Sequence, residues 1–158
     1  MASTPSAQLA GFIRKFDPAI AKLARQARTE LRRRYFPTAF ELVYDNYNAL
    51  AIGYAATDRV SDVVISLAVG ARGINLYFMY GKSLRDPHGL LQGEGNQGAF
   101  VRLTDLAVLD DRHVVSLIRE AIREARTLLP KNGRGKLIIK SISAKQRDRR
   151  TANAADKH

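Results

Sequence analysis

Cysteine is absent from the 158-residue chain. That removes disulfides, thiolate metal ligands and a cysteine nucleophile together, and it fits a cytoplasmic location. Histidine is scarce too: only His88, His113 and His158 occur, with no H-x-x-H or H-E-x-x-H spacing. The first residues, MASTPSAQLAGFIRKF, lack a basic segment followed by an apolar one, so they do not read as a secretory signal. No long hydrophobic run exists. The most apolar stretch, Val63 to Tyr80, is broken by Arg72 and Asn75 and alternates as strands do, so no membrane association is expected. G-x-S-x-G is missing, and although Gly81, Lys82 and Ser83 read G-K-S, Leu76 stands where G-x-x-x-x-G-K-[ST] needs its first glycine, so neither the common serine-nucleophile signature nor a full P-loop is present. No cofactor, no metal and no enzymatic activity are expected on these grounds.

Acidic residues are also short, 15 Asp and Glu against 26 Lys and Arg, leaving a net charge of +11. The excess is uneven. Residues 1–40 hold eight basic residues and two acidic ones, residues 130–158 hold nine and two, and residues 41–129 hold nine and eleven. A nearly neutral middle is therefore flanked by two basic ends. Lys22, Arg25, Arg28 and Arg32 share a polar stripe at helical spacing, and Lys145, Arg147, Arg149 and Arg150 lie in the tail. Such segments can contact a nucleic acid or another polyanion through its phosphates. The plainer alternative is a solvated helix face and a soluble tail.

What is present is patterned. Leu9, Phe12, Ile13 and Phe16 recur at helical spacing. Asp17 and Pro18 then suit an N-cap and a first helical position, and an apolar stripe from Ile20 to Tyr35 predicts a helix over 18–35, ended by Pro37. From Phe40 the period changes to two. Strands are expected around Leu42–Tyr44, Leu50–Tyr54, Val63–Val69 and Ile74–Tyr80, with another at AFVRL and a last short one at KLIIKSI. Asp110 or Asp111 would cap a second long helix with an apolar face from Val114 to Leu129. Consecutive strands between helices imply an α+β fold: an antiparallel meander of about five strands with two long helices on one face. Residues 1–143 read as a single domain and residues 144–158 as a basic, flexible tail.

One motif invites a sharper reading. Gly93, Gly95 and Gly98 match G-x-G-x-x-G, the spacing of a dinucleotide-binding loop. That loop needs a helix N-terminus after it to hold the pyrophosphate. Here AFVRL follows, which is strand-like, so the glycines read as a surface loop. "DPHG" at Asp86–Gly89 suits a type I turn. His88 then reads as a turn residue and His113 as a first-turn helix residue, the alternative for each being a lone metal ligand or base. "YDNYN" at Tyr44–Asn48 reads as a hairpin turn flanked by tyrosines or as the polar rim of a pocket. For a small ligand the candidate residues are Tyr44, Asp45, Asn46 and Tyr47, with Asp86 and His88.

YDNYN, the run from Leu84 to Leu91 that contains Asp86, Pro87 and Gly89, and IKSISAKQR together resemble the YdhG-like family, small bacterial domains of unknown function. The resemblance covers roughly residues 10–150. It implies the same α+β fold, a glycine loop joining sheet strands, and a non-enzymatic binding module of unknown ligand or protein partner. One branch of that family is linked to a frataxin-like iron chaperone role. Two departures stand out. Ala99 and Phe100 occupy positions where many relatives carry a basic residue and a histidine. The 18–35 helix, where an iron-collecting protein would present acids, has Glu30 alone and is strongly basic, so it would repel iron cations.

Overall fold

The computed structural model describes residues 3–151. Thr4 opens α1 (Pro5–Arg14) by accepting a hydrogen bond from the Ala7 amide, and Leu9 and Ile13 face inward. After a three-residue break comes α2 (Pro18–Arg34), with Pro18 at the first position, where its missing N–H removes no helical bond. Ala21, Ala24, Ala27 and Leu31 form its buried stripe. The small residues bring the helix close to the sheet; Lys22, Arg25 and Arg33 are exposed, whereas Arg28 is half-buried at the stripe's edge. Asp17 precedes the helix as expected, but its side chain makes no cap hydrogen bond. Its carboxylate instead accepts from the amide and hydroxyl of Thr151.

Five strands follow as an antiparallel meander: β1 (Phe40–Asp45), β2 (Leu50–Ala55), β3 (Val63–Gly70), β4 (Gly73–Phe78) and β5 (Ala99–Leu103). The chain then forms α3 (Arg112–Arg123) and returns as β6 (Leu137–Ile142). That last strand pairs with β1 in parallel, so the sheet order is β5-β4-β3-β2-β1-β6. The α+β class therefore holds, with three corrections of detail. Among the described residues there are six strands, and the sixth is parallel because α3 carries the chain back across the sheet before β6 is laid down. Among the described residues there are three α-helices, since the pattern at Leu9–Phe16 forms most of one of its own. Finally, α3 ends at Arg123 rather than near Leu129, so the apolar residues beyond Ile122 pack from irregular chain.

One sheet face carries the core. Rows such as Val43, Ile52, Leu67, Leu76 and Val101 run across it in register and meet Leu31, Val114 and Ile118 from the helices. The other face is floored by small residues, Ala51, Gly53, Ser66 and Ala68, with Tyr44 and Tyr77 to either side. On β1 the sequence pattern misleads. Leu42 and Tyr44 point to the small-residue face, while Glu41, Val43 and Asp45 point toward the helices. Both carboxylates are buried, and each is answered by a base. Glu41 takes a bidentate contact from Arg28 (2.8 and 2.9 Å), has Arg32 at 3.6 Å, and accepts from the Tyr54 hydroxyl. Burial, with the Glu41 charge beside it, pushes the Tyr54 phenol well up.

The glycine loop lies over the meander's edge. Gln92 and Phe100 exchange backbone hydrogen bonds, which folds the loop back along β5. Gly98 sits against the Tyr77 ring so closely that a Cβ would overlap the hydroxyl. No helix follows; β5 begins at Ala99. The glycine here serves close approach to an aromatic ring.

The tail expected to be flexible from residue 144 is bound along its described part. Arg147 N donates to Tyr47 O, Arg149 is buried against Asp45, and Arg150 donates to the Arg14 and Lys15 carbonyls at the end of α1. Residues 152–158 of that tail lie outside the described residues.

A histidine and arginine groove between α3 and the Leu84–Leu91 loop

The DPHG turn forms as its residues suggest, with the Gly89 amide donating to Asp86 O and Gly89 at φ +63°. Asp86 then does more than start a turn. Its two carboxylate oxygens accept from the amides of Leu90 and Leu91 at 2.9 and 2.8 Å. This braces the loop while Leu84, Leu90 and Leu91 pack against the core. His88 is left at the exposed tip.

Opposite the tip stands α3. Asp111 caps it, accepting from the amides of His113 (2.8 Å) and Val114 (3.3 Å). These hydrogen bonds hold the Asp111 carboxyl below its usual range. Val114, Leu117, Ile118 and Ala121 turn inward, which directs His113, Ser116 and Glu120 toward the loop. Glu120 accepts from the Arg85 amide at 3.0 Å and so ties the loop to the helix. Between the two runs an open groove of about 780 Å³. His88 and His113 meet there with ring centroids 3.6 Å apart and planes at 39°. Arg85, Arg119 and Arg123 complete the basic wall.

The groove's electrostatics follow from these contacts. Three arginines face two carboxylates, so one net positive charge remains with both imidazoles neutral. Both carboxylates are already engaged, Asp86 by two backbone amides and Glu120 by a third. Arg85 is paired with Glu120 at 3.8 Å, whereas the other two arginines are less committed: Arg119 leans on the Tyr35 ring at 5.7 Å, and among the described residues Arg123 pairs with Glu124 alone, at 3.9 Å with both exposed. The site can therefore accept negative charge. Among the described residues no group of three or more histidine or acidic side chains could hold a metal ion.

The other candidate residues lie elsewhere. Asp86 and His88 share the groove, but Tyr44, Asp45, Asn46 and Tyr47 do not line it. Strand register places the YDNYN turn at the sheet end shared with Gly70 and Gly73, whereas the loop leaves β4 at the opposite end. YDNYN is a hairpin turn, closed by the Asn46 amide on Ala49 O. Tyr44 reaches the small-residue face, where burial pushes its phenol up. Asp45 is 1% exposed and holds Arg149 at 3.2 Å and Lys15 at 3.6 Å. The Asn46 side chain accepts from Ser141, and Tyr47, half exposed, stacks under Arg147 at 5.7 Å.

The basic candidates divide in the same way. Arg28 and Arg32 serve Glu41, Arg149 serves Asp45, and Arg150 caps α1. Lys22, Arg25 and Lys145 are exposed and form no ion pair among the described residues. No helix is long and apolar enough among those residues to cross a membrane.

Sequence reasoning recognised both histidines but did not join them, and it did not single out Arg85, Ser116, Arg119, Glu120 or Arg123 as a wall. The three- and four-residue spacing of His113, Ser116 and Glu120 was the available signal for one wall. Nothing local said that residue 88 would face residue 113. No protein family model, curated protein or solved structure matches the chain.

Proposed function

We propose that this chain is a non-enzymatic, YdhG-like binding module whose small ligand occupies the groove between α3 and the Leu84–Leu91 loop. The observation that carries the reading is the direct contact of His88 and His113 at 3.6 Å inside a groove large enough for a metabolite. The braced loop adds support, because a wall fixed by Asp86 and Glu120 needs little ordering when a ligand arrives. This moves the ligand site expected at Tyr44–Tyr47 to the Asp86 and His88 side of the molecule.

A thermal-shift screen of neutral and charged metabolites tests the reading. At least one compound should raise the Tm of the wild-type protein and leave Ser116→Phe, which fills the groove from an exposed helix position, unmoved. A screen in which every stabilising compound acts equally on both proteins would overturn it.

Polyanion binding is the second reading, favoured by the exposed Lys22, Arg25, Lys145 and Arg147. Its contact set is smaller than the charge pattern suggested, since four of the eight basic candidates already serve the fold. Affinity for RNA or DNA that falls steeply with salt and weakens in a Lys22→Gln, Arg25→Gln variant would support it. Iron handling has the least support: Glu30, the one acid within α2, is already paired with Arg33 and Arg34.

A further inference from the structure

We infer that the groove's ligand carries a phosphate group, and that this dianion enters together with proton uptake by the His88–His113 pair. The inference rests on the groove being the binding site and adds the chemical class and the regulation of what binds there.

The argument begins with charge. Arg85 and Asp86 face the pair from the loop. Arg119, Glu120 and Arg123 face it from α3, and Asp111 and Arg112 flank His113 at the helix start. Asp86, Glu120 and Asp111 each accept backbone amide hydrogen bonds, which satisfy part of their charge where it stands. Arg85 lies 3.8 Å from Glu120, so within the walls one positive charge is left in excess, and Arg119 and Arg123 are the guanidinium groups not paired inside the groove.

The imidazoles supply the switch. Two neutral rings can rest against each other at 3.6 Å, but two imidazolium rings repel at that distance. A dianion beside them removes the repulsion and is held by both N–H donors. Ligand and proton therefore favour each other, and by linkage the effect is reciprocal. A singly charged carboxylate would compensate only half of a doubly protonated pair, whereas a phosphate matches it. A cavity of about 780 Å³ far exceeds a lone ion, so the phosphate is the head of a larger molecule.

Isothermal titration of the full chain with sulfate, inorganic phosphate and glycerol 3-phosphate, at pH 5.5 and 8.0 and constant ionic strength, tests this. Sulfate stays dianionic across the range, so its pH dependence reports on the protein. The expected result is sulfate binding at least about tenfold tighter at pH 5.5, the size set by one coupled proton per pH unit. His88→Gln and His113→Gln should each reduce that dependence, Arg119→Gln should weaken binding at both pH values, and Lys131→Gln, at an exposed position outside both candidate surfaces, should change neither. Glycerol 3-phosphate should bind tighter than inorganic phosphate.

Equal sulfate affinity at the two pH values would overturn the proton coupling. Glycerol 3-phosphate no tighter than phosphate would overturn the larger-ligand assignment. If no anion binds while a neutral compound still stabilises wild type but not Ser116→Phe, the phosphate class fails and the groove stands. If nothing distinguishes those two proteins, the groove itself fails.

Discussion

Arg149 and Asp45 lie 104 residues apart in the chain and 3.2 Å apart in the fold. The carboxylate projects from β1 toward the helices, and the guanidinium arrives from the tail, over the Phe16 ring at 5.3 Å. Both side chains are almost wholly enclosed. A residue that looked like part of a solvated basic tail is a component of the core.

Removing one member should therefore cost more than removing both. Arg149→Met leaves Asp45 buried with only Lys15 nearby, and a loss of about 3 kcal/mol is expected. Asp45→Asn combined with Arg149→Met should recover part of that loss. Denaturant melts of the two variants check the prediction, and a double variant less stable than the single one would contradict it. Deleting residues 144–158 carries the same penalty, so loss of nucleic-acid binding in such a truncation would not by itself locate a binding site.

Glu41 ties α2 to β1 and should behave in the same way. Glu41→Gln removes the charge from a bidentate contact with Arg28, whose own pKa that hydrogen bond raises. Destabilisation of about 2–4 kcal/mol is expected. The same variant releases Arg28 and Arg32 toward solvent, so retention on heparin should rise at a temperature where the fold persists. Unchanged retention would mean the two arginines stay held by other contacts.

The glycine loop can be tested by paired substitutions. Gly98→Ala forces a methyl group into the Tyr77 hydroxyl and should cost about 1–3 kcal/mol, whereas the nearest neighbour of a Cβ at Gly95 is 3.8 Å away and Gly95→Ala should be close to neutral. Because the methyl group would overlap the Tyr77 ring carbons as well as its oxygen, Tyr77→Phe should leave the Gly98→Ala penalty largely in place, whereas Tyr77→Ala should remove it. Equal melting points for the two glycine variants would refute the close-approach role.

Acid stability should report the cap of α3. The Asp111 pKa is lowered in the fold by the His113 and Val114 amides, so the unfolded chain binds its proton at a higher pH than the folded one. The stabilisation is complete above the ordinary carboxylate pKa of about 4 and is lost as pH falls through the depressed value. Asp111→Asn keeps an oxygen for the cap but cannot titrate. Its stability should fall less steeply than wild type between about pH 5 and pH 2. Identical slopes in acid denaturation would rule the cap out as a source of the dependence.

The sequence determined the parts that depend on neighbours in the chain. The 18–34 helix is legible from the Asp-Pro start and the stripe through Leu31, the hairpin at Gly70–Gly73 from its glycines, and the DPHG turn from its spacing. Each follows from backbone preference or a periodic apolar face acting over a few residues. The strand-like AFVRL likewise told against a phosphate loop at Gly93–Gly98, because no helix start follows. Tertiary structure decided the rest. Whether Arg28 and Arg149 are surface charges or buried partners depends on which face of β1 carries Glu41 and Asp45, and a one-residue change of phase reverses it. That β6 runs parallel to β1 depends on where α3 returns the chain. That His88 meets His113 depends on a loop braced by Asp86 docking on a helix 25 positions away, a long-range contact that no local pattern encodes.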